Sequence, residues 1–306
     1  IFNENIVNGR LILNDEEINF CNNNKKISEN SIYITGCTKN CSKHLPNIFK
    51  IINEIGSLFK DFKIIFSYDE SNDNTLNILN SFKKENDKVI ILENKNKLSE
   101  IRTENISNAR NFILEEIRNI NNSDYKYFIM MDMDEVCNKR FNINVFKKYI
   151  LNSENWDALS FNRTGYYDVW ALSYDPYMFS CWHYYEDHNN NRNFMKNIVR
   201  PHFEKKLNSL KNNELLDVYS AFGGFCIYKL EKFINSHYHW KTTDIMKLIP
   251  KHLVFKNIEK CDFIEPYILN NKTKKIFDCE HRYFHLFSKK NFKAKIKVSP
   301  YPVFGD

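Results

Sequence analysis

Between residues 31 and 137, short apolar runs alternate with segments of helical periodicity, and this alternation limits the fold more than any other feature of the chain. The runs fall at 31–37, 62–68, 89–92 and 127–131. After the first, Pro46 stands near a helix start, and Ile48, Ile51, Ile52, Ile55 and Phe59 recur at the spacing of one helical face. After the second, 69–75 is an acidic, Ser/Thr-rich turn ahead of a helix carrying Leu76, Leu79 and Phe82. The third precedes a helix predicted from about Ser107, with Ala109, Ile113, Ile117 and Ile120 facing inward. Arg102 is expected just ahead of its first turn and Arg110 within it. Strands separated by helices must be joined by crossovers, which gives an α/β fold with a parallel sheet and right-handed connections.

The fourth run ends in Asp132-Met133-Asp134, with Glu135 directly behind. Alternate side chains of an extended chain point the same way, so Asp132 and Asp134 are placed to share a divalent cation. They would do so at the C-terminal edge of the strand, where open α/β sheets hold their ligands.

Beyond 137 the character changes. A short helix is expected at 145–151, strands at 156–161 and after Gly223-Gly224, and a last strand within 295–303. Aromatic residues crowd 156–185, among them Trp156, Trp170 and Trp182, interleaved with Asp168, Asp175, His183 and Asp187. This stretch reads as core or as a sugar-binding wall, because sugars stack apolar ring faces on aromatics and need polar groups for their hydroxyls. Residues 186–217 read as a polar loop or lid with a short helix. Gly223-Gly224 stands out in a chain of 7 glycines and permits a close backbone approach. Glu280, His281 and His285 fall together. In an extended segment Glu280 and His281 would face opposite sides. Imidazole would complete a two-aspartate metal site without adding negative charge beside a phosphate.

With 306 residues, 42% hydrophobic and 15% aromatic, the chain can bury a large core and is not disordered. The net charge of +6 is spread along it without a nucleic-acid module, which argues against nucleic-acid binding and suits an anionic nucleotide. The 8 cysteines contain no Cys-x-x-Cys, so they read as reduced and buried rather than as a zinc or disulfide framework. No apolar run approaches the roughly 18 residues of a membrane span. Residues 1–30 read as a polar lead-in with a hairpin at Asn8-Gly9, or as the edge of another domain. The chain opens at Ile1, so a preceding segment is open. Localisation is open too, with the cytoplasm favoured over secretion.

Taken in order, the 67–75 turn, Asn108-Ala-Arg-Asn111, Met131-Asp-Met-Asp134, Tyr167-Asp-Val-Trp-Ala-Leu172, Ser220-Ala-Phe-Gly-Gly224 with Ile227-Tyr228, and Cys279-Glu-His281 with Phe284-His285 form a set. That set resembles nucleotide-sugar-dependent glycosyltransferases of the GT-A fold, family 2-like, of bacterial and large-virus type. The resemblance covers about 31–305. It implies a Rossmann-like, mostly parallel central sheet flanked by helices, with 31–137 as the nucleotide-binding half and 138–306 as the sugar and acceptor half.

The resemblance also implies site roles. Thr35 and the Asp69/Glu70 turn would lie near base and ribose, and Arg102 and Arg110 toward the diphosphate. Mn²⁺ or Mg²⁺ would be held by Asp132, Asp134 and His281. Gly223 and Gly224 would shape the sugar pocket. The reaction implied is metal-dependent transfer from a UDP- or GDP-sugar to a hydroxyl of a glycan or protein, inverting or retaining. Asp168, Asp217 and Glu280 are the candidate bases. The family often carries Arg after Trp-Ala-Leu, where this chain has Ser173. A sugar-nucleotide pyrophosphorylase would need a Gly-rich phosphate loop, which 36–41 is not. A binding-only descendant is countered by the intact Asp132, Asp134 and His281.

Overall fold

Strand β3 (Ser31–Thr38) is apolar along most of its length and lies between β4 (Asp61–Tyr68) and β6 (Tyr125–Met131), parallel to both. In the computed structural model, residues 5–7, 10–12, 27–163, 165–181, 194–211, 214–260 and 276–305 are described. Strands β1 (Asn5–Val7) and β2 (Arg10–Ile12) form a separate antiparallel hairpin, and its expected Asn8-Gly9 turn lies outside the described residues. Trp182, His183 and Asp187 also lie outside them.

The central sheet has 8 strands in the order β5-β4-β3-β6-β10-β8-β11-β9, where β5 is Val89–Glu93, β8 Ala158–Phe161, β9 Leu216–Asp217, β10 Phe225–Lys229 and β11 Ile296–Ser299. β5, β4, β3 and β6 are mutually parallel, as the strand and helix alternation requires. β10 enters antiparallel between β6 and β8, so one sheet runs through residues on both sides of position 137. A further pair, β7 (Arg140–Phe141) and β12 (Phe304–Gly305), closes beside it.

Alternation along the strands divides the core into two layers. Ile34, Ile64, Ile129, Leu159 and Ile227 point to one face with Ile48 and Ile52 of α1 (Leu45–Gly56) and Phe146 of α4 (Ile143–Leu151). Leu79 of α2 (Thr75–Glu85) joins that layer. Tyr33, Ile65, Phe128, Met130 and Tyr228 point to the other face, against Ile113, Leu114 and Ile117 of α3 (Arg102–Ile120). Each such side chain contributes about 1.5–3 kcal/mol when fully buried, so both layers are needed for a sheet this wide.

The later helices are α5 (Arg200–Asn208), α6 (Leu230–Phe233), α7 (Thr242–Met246), α8 (Lys251–Lys260) and α9 (Glu280–Phe292). Among the described residues no helix is long and apolar enough to cross a membrane. Cys37, Cys41, Cys137, Cys181, Cys226 and Cys279 are free thiols.

Two differences from the sequence reading bear on the site. α3 starts at Arg102, earlier than expected, because Ser99 and Asn105 bond each other: Ser99 N donates to Asn105 Oδ1 at 2.8 Å and Asn105 Nδ2 to Ser99 O at 2.7 Å. Arg110 therefore sits past the second turn, not in the first. Residues 280–285 are helical, not extended. Cys279 supplies an extended N-cap, and its N–H is taken by Asp278 Oδ1 at 2.6 Å. Adjacent residues of a helix are separated by about 100°, so Glu280 and His281 need not face opposite sides.

Candidate active site

The chain leaves β3 toward β4 on one side, while β6 returns on the other, so the loops after β3 and β6 diverge and leave a crevice at the C-terminal edge. A cavity of about 690 Å³ fills it. The end of β3 and the loop after it (Thr38, Lys39, Asn40), Glu100 ahead of α3, Arg102 and Asn105 at its start, Asp132 and Asp134 line it from the first half. Tyr167, Asp168, Trp170, Phe222, Glu280 and His281 line it from the second.

Asp132 follows β6 directly. Its N–H donates to Gly224 O at 2.8 Å, which fixes the turn after β6 to the turn before β10. Gly224 has φ +79°, and a Cβ there would lie 2.3 Å from Val136 Cγ1, 2.7 Å from the Tyr167 hydroxyl and 3.2 Å from Asp132 Oδ2. The glycine is what allows this approach. Burial pushes the Asp132 carboxyl up to about 7. Arg110 opposes that shift, and the Asp134 and Asp168 carboxylates add to it. Asp134 accepts from Val136 N at 3.0 Å, and so caps the turn that carries it.

Gly223, at φ +66°, donates its N–H to Asp168 Oδ2 at 2.9 Å, and Ala171 N donates to Asp168 Oδ1 at 3.3 Å. Burial raises the Asp168 carboxyl, and these backbone donors moderate the rise. Arg163 pins the same corner: its Nε donates to Gly223 O at 2.9 Å and its Nη1 to Val136 O at 2.8 Å. The sequence reading missed Arg163, which follows β8 in no recognisable motif. Ser173, where the resemblance led to an arginine, is buried and accepts from Arg282 Nε at 2.9 Å.

Arg110 is buried and ion-paired with Glu280, and its Nη2 lies 3.4 Å from Asp132 Oδ1. His281 is stacked on Phe222 with ring centroids 3.7 Å apart, and neither ring nitrogen has a hydrogen-bond partner. Burial, with Arg110 and His285 adding, holds its pKa well below the usual range, so the ring is neutral. His285 lies deeper, its Nδ1 2.9 Å from Ser220 Oγ and its Nε2 2.9 Å from the Tyr228 hydroxyl.

The other sequence-derived candidates divide. Asp69 lines the cavity and accepts from Asn94 Nδ2 at 2.8 Å, and Arg102 stands exposed on its lining. Glu70, the next residue, is exposed and outside the lining. Thr35 is buried within β3 and donates its hydroxyl to Ile129 O at 2.6 Å, so it does not reach the cavity. Asp217 is on β9, the edge strand on the β11 side of the sheet. It pairs with Lys297 at 2.6 Å and Lys289 at 3.9 Å, which removes it from the site.

Among the described residues no three His, Cys, Asp or Glu side chains are grouped to hold a metal ion. Asp132, Asp134 and His281 are thus not assembled as a trio, because the stack on Phe222 holds the imidazole. The two aspartates by themselves fit a hard cation. Both line the cavity, and with Asp168 they leave an excess of carboxylate at one end of it.

A family model described as Glycosyl transferase family 2 matches residues 34–233, from β3 through the cavity-lining turns to α6. The chain belongs to this family. It is a family 2 glycosyltransferase with a mostly parallel central sheet flanked by helices. Among solved structures, S. aureus TarS 1-349 is similar at 13% identity and a TM-score of 0.39, covering 90% of this chain and 59% of that one. TarS 1-349 in complex with UDP is 14% identical with a TM-score of 0.32, covering 44% of this chain and 36% of that one. The mannosyltransferase PcManGT from Pyrobaculum calidifontis, in complex with GDP-Man and Mn²⁺, is 12% identical with a TM-score of 0.35, covering 68% and 47%. The family 2 chain therefore spans less than two thirds of each of these. Comparison with curated proteins gives no match.

Proposed function

We propose that this glycosyltransferase moves a sugar from a nucleoside-diphosphate sugar, UDP- or GDP-linked, to a hydroxyl of a glycan or protein acceptor, with Mn²⁺ or Mg²⁺ as cofactor. One arrangement carries the reading: Asp132 and Asp134 leave β6 into the cavity at the point where the strand order reverses, near Asp168 on the same lining. Residues 31–137 would serve the donor and 138–306 the acceptor. Asp132 and Asp134 would hold the cation, which when bound supplies Lewis acidity to the departing diphosphate. Asp69, oriented by Asn94, would accept hydrogen bonds from base or ribose, and Arg102 would face the phosphates. Tyr167 and Trp170 offer apolar faces to sugar rings.

Of the three candidate bases, Asp168 is best placed. Glu280 is committed to Arg110, and Asp217 stands outside the cavity. Asp168 lines the cavity with its carboxyl raised by burial and its orientation set by two backbone N–H groups. In a single displacement it would take the acceptor hydroxyl proton as that oxygen bonds to the anomeric carbon and the bond to phosphate breaks. Calorimetry with UDP and GDP tests the cofactor role. Binding is expected with Mn²⁺ and is expected to be lost both in chelator and in Asp134→Ala. Equal affinity with and without the cation would exclude it.

A further inference from the structure

Arg110 is a fixed positive charge on the cavity lining whose two terminal nitrogens already face carboxylates. Its side chain is 7% exposed. One terminal guanidinium nitrogen, Nη1, pairs with Glu280 at the start of α9, and the other, Nη2, lies 3.4 Å from Asp132, while Nε is buried without a hydrogen-bond partner. The rings of Phe222 and Tyr238 stand 4.9 and 5.6 Å from its central carbon. An arginine serving a diphosphate would turn its N–H groups to open space. Arg110 spends its terminal groups on two carboxylates, one from each half of the chain, and guanidinium does not shed its proton at working pH.

The charges near it are unequal. Asp132, Asp134, Asp168 and Glu280 line the same cavity, with Arg110 buried among them. A cation approaching Asp132 would meet a carboxylate whose field is already partly cancelled, with a full positive charge a few ångströms behind it.

We propose that Arg110 is the internal counter-ion of this carboxylate cluster, a positioning residue that holds divalent-cation affinity low in the free protein. The cation then enters together with a nucleoside diphosphate. The inference rests on the metal-dependent reading above. The diphosphate's negative charge offsets the arginine, so each ligand strengthens binding of the other by the same factor. Arg110 thereby makes the cation and the nucleotide enter as a unit.

Titration of the whole chain with Mn²⁺, alone and with UDP or GDP, and followed by the paramagnetic resonance of free Mn²⁺, tests this. For the wild type, weak binding of Mn²⁺ alone and much tighter binding with nucleotide are expected. Arg110→Met is expected to bind Mn²⁺ alone about tenfold or more tightly, as loss of one nearby charge implies, and to lose most of the gain from nucleotide. Glu280→Gln removes one carboxylate and leaves the arginine wholly to Asp132, so Mn²⁺ alone should bind more weakly than to wild type. A structural role would move stability without these opposite signs. Arg110→Met with unchanged or weaker Mn²⁺ binding overturns the proposal. If that variant does not fold, Glu280→Gln decides, and unchanged or tighter Mn²⁺ binding overturns it. Wild type that binds UDP or GDP but no Mn²⁺ under either condition would instead refute the metal-dependent reading itself.

Discussion

Gly224 carries two demands at once, a left-handed backbone and the absence of a side chain. With φ at +79° and an added Cβ 2.3 Å from Val136 Cγ1, Gly224→Ala must either strain the turn or push Val136 and Tyr167 aside. Its carbonyl accepts the Asp132 N–H and the Cys137 thiol, so the displacement is transmitted to the aspartate turn. Thermal unfolding should show a loss of about 1–3 kcal/mol, and nucleotide binding with Mn²⁺ should weaken with it. Wild-type stability and affinity would show that this turn tolerates bulk and does not set the site. At this scale much of the site was legible. Asp132, Asp134, Gly224 and Asp69 were all singled out from local pattern, because a strand end, a glycine pair and a capping turn are written in consecutive residues. Arg163 was not, because it acts through Gly223 O and Val136 O, partners that come near it only in the fold.

At the scale of elements, the cavity wall formed by the loop after β3 is held by the loop ahead of α2. Asp73 accepts from Thr75 N and from Ser42 N, both at 3.0 Å, which ties the loop after β3 to the start of α2. The Thr75 hydroxyl first, and then the Ser42 contacts, hold the Asp73 carboxyl down at about 2 against a usual value of 3.8. The depressed value makes its stabilisation fully present above the unfolded pKa and lost as pH falls through the folded one. Asp73→Ala should therefore be less stable than wild type near neutrality, with the difference shrinking from about pH 4 downward. Urea unfolding of both proteins at a series of pH values measures this, and a gap that is constant down to about pH 2 would contradict it. The two misplaced elements fail for related reasons. α3 begins early through side-chain bonds between Ser99 and Asn105 that no periodicity reports. α9 does have helical spacing at His281, Phe284, His285 and Ser288, all buried, but His281 reads as a ligand rather than as part of a packed face.

Across the whole molecule, the four parallel strands could be read from the sequence because each is local and the first three are each followed directly by a helix. The antiparallel entry of β10 could not, since its partners β6 and β8 lie far away in the chain. Phe128 marks that junction, stacked on Tyr228 with centroids 4.7 Å apart and set edge-on to Phe284 at 6.5 Å. It is fully buried, so Phe128→Ala should cost about 3–5 kcal/mol, read as a lower urea midpoint. A loss under about 1 kcal/mol would mean that the layer recloses around the gap.

The bond from Asp132 N–H to Gly224 O has a consequence for how such a protein can change over time. Here the aspartate turn takes its position from a carbonyl of the other half, and Arg110 spans the same boundary to Glu280. A lineage that traded its C-terminal half for another would inherit a displaced aspartate turn along with the new cavity wall. Change in this cavity is therefore open to gradual substitution along its wall, and closed to wholesale shuffling.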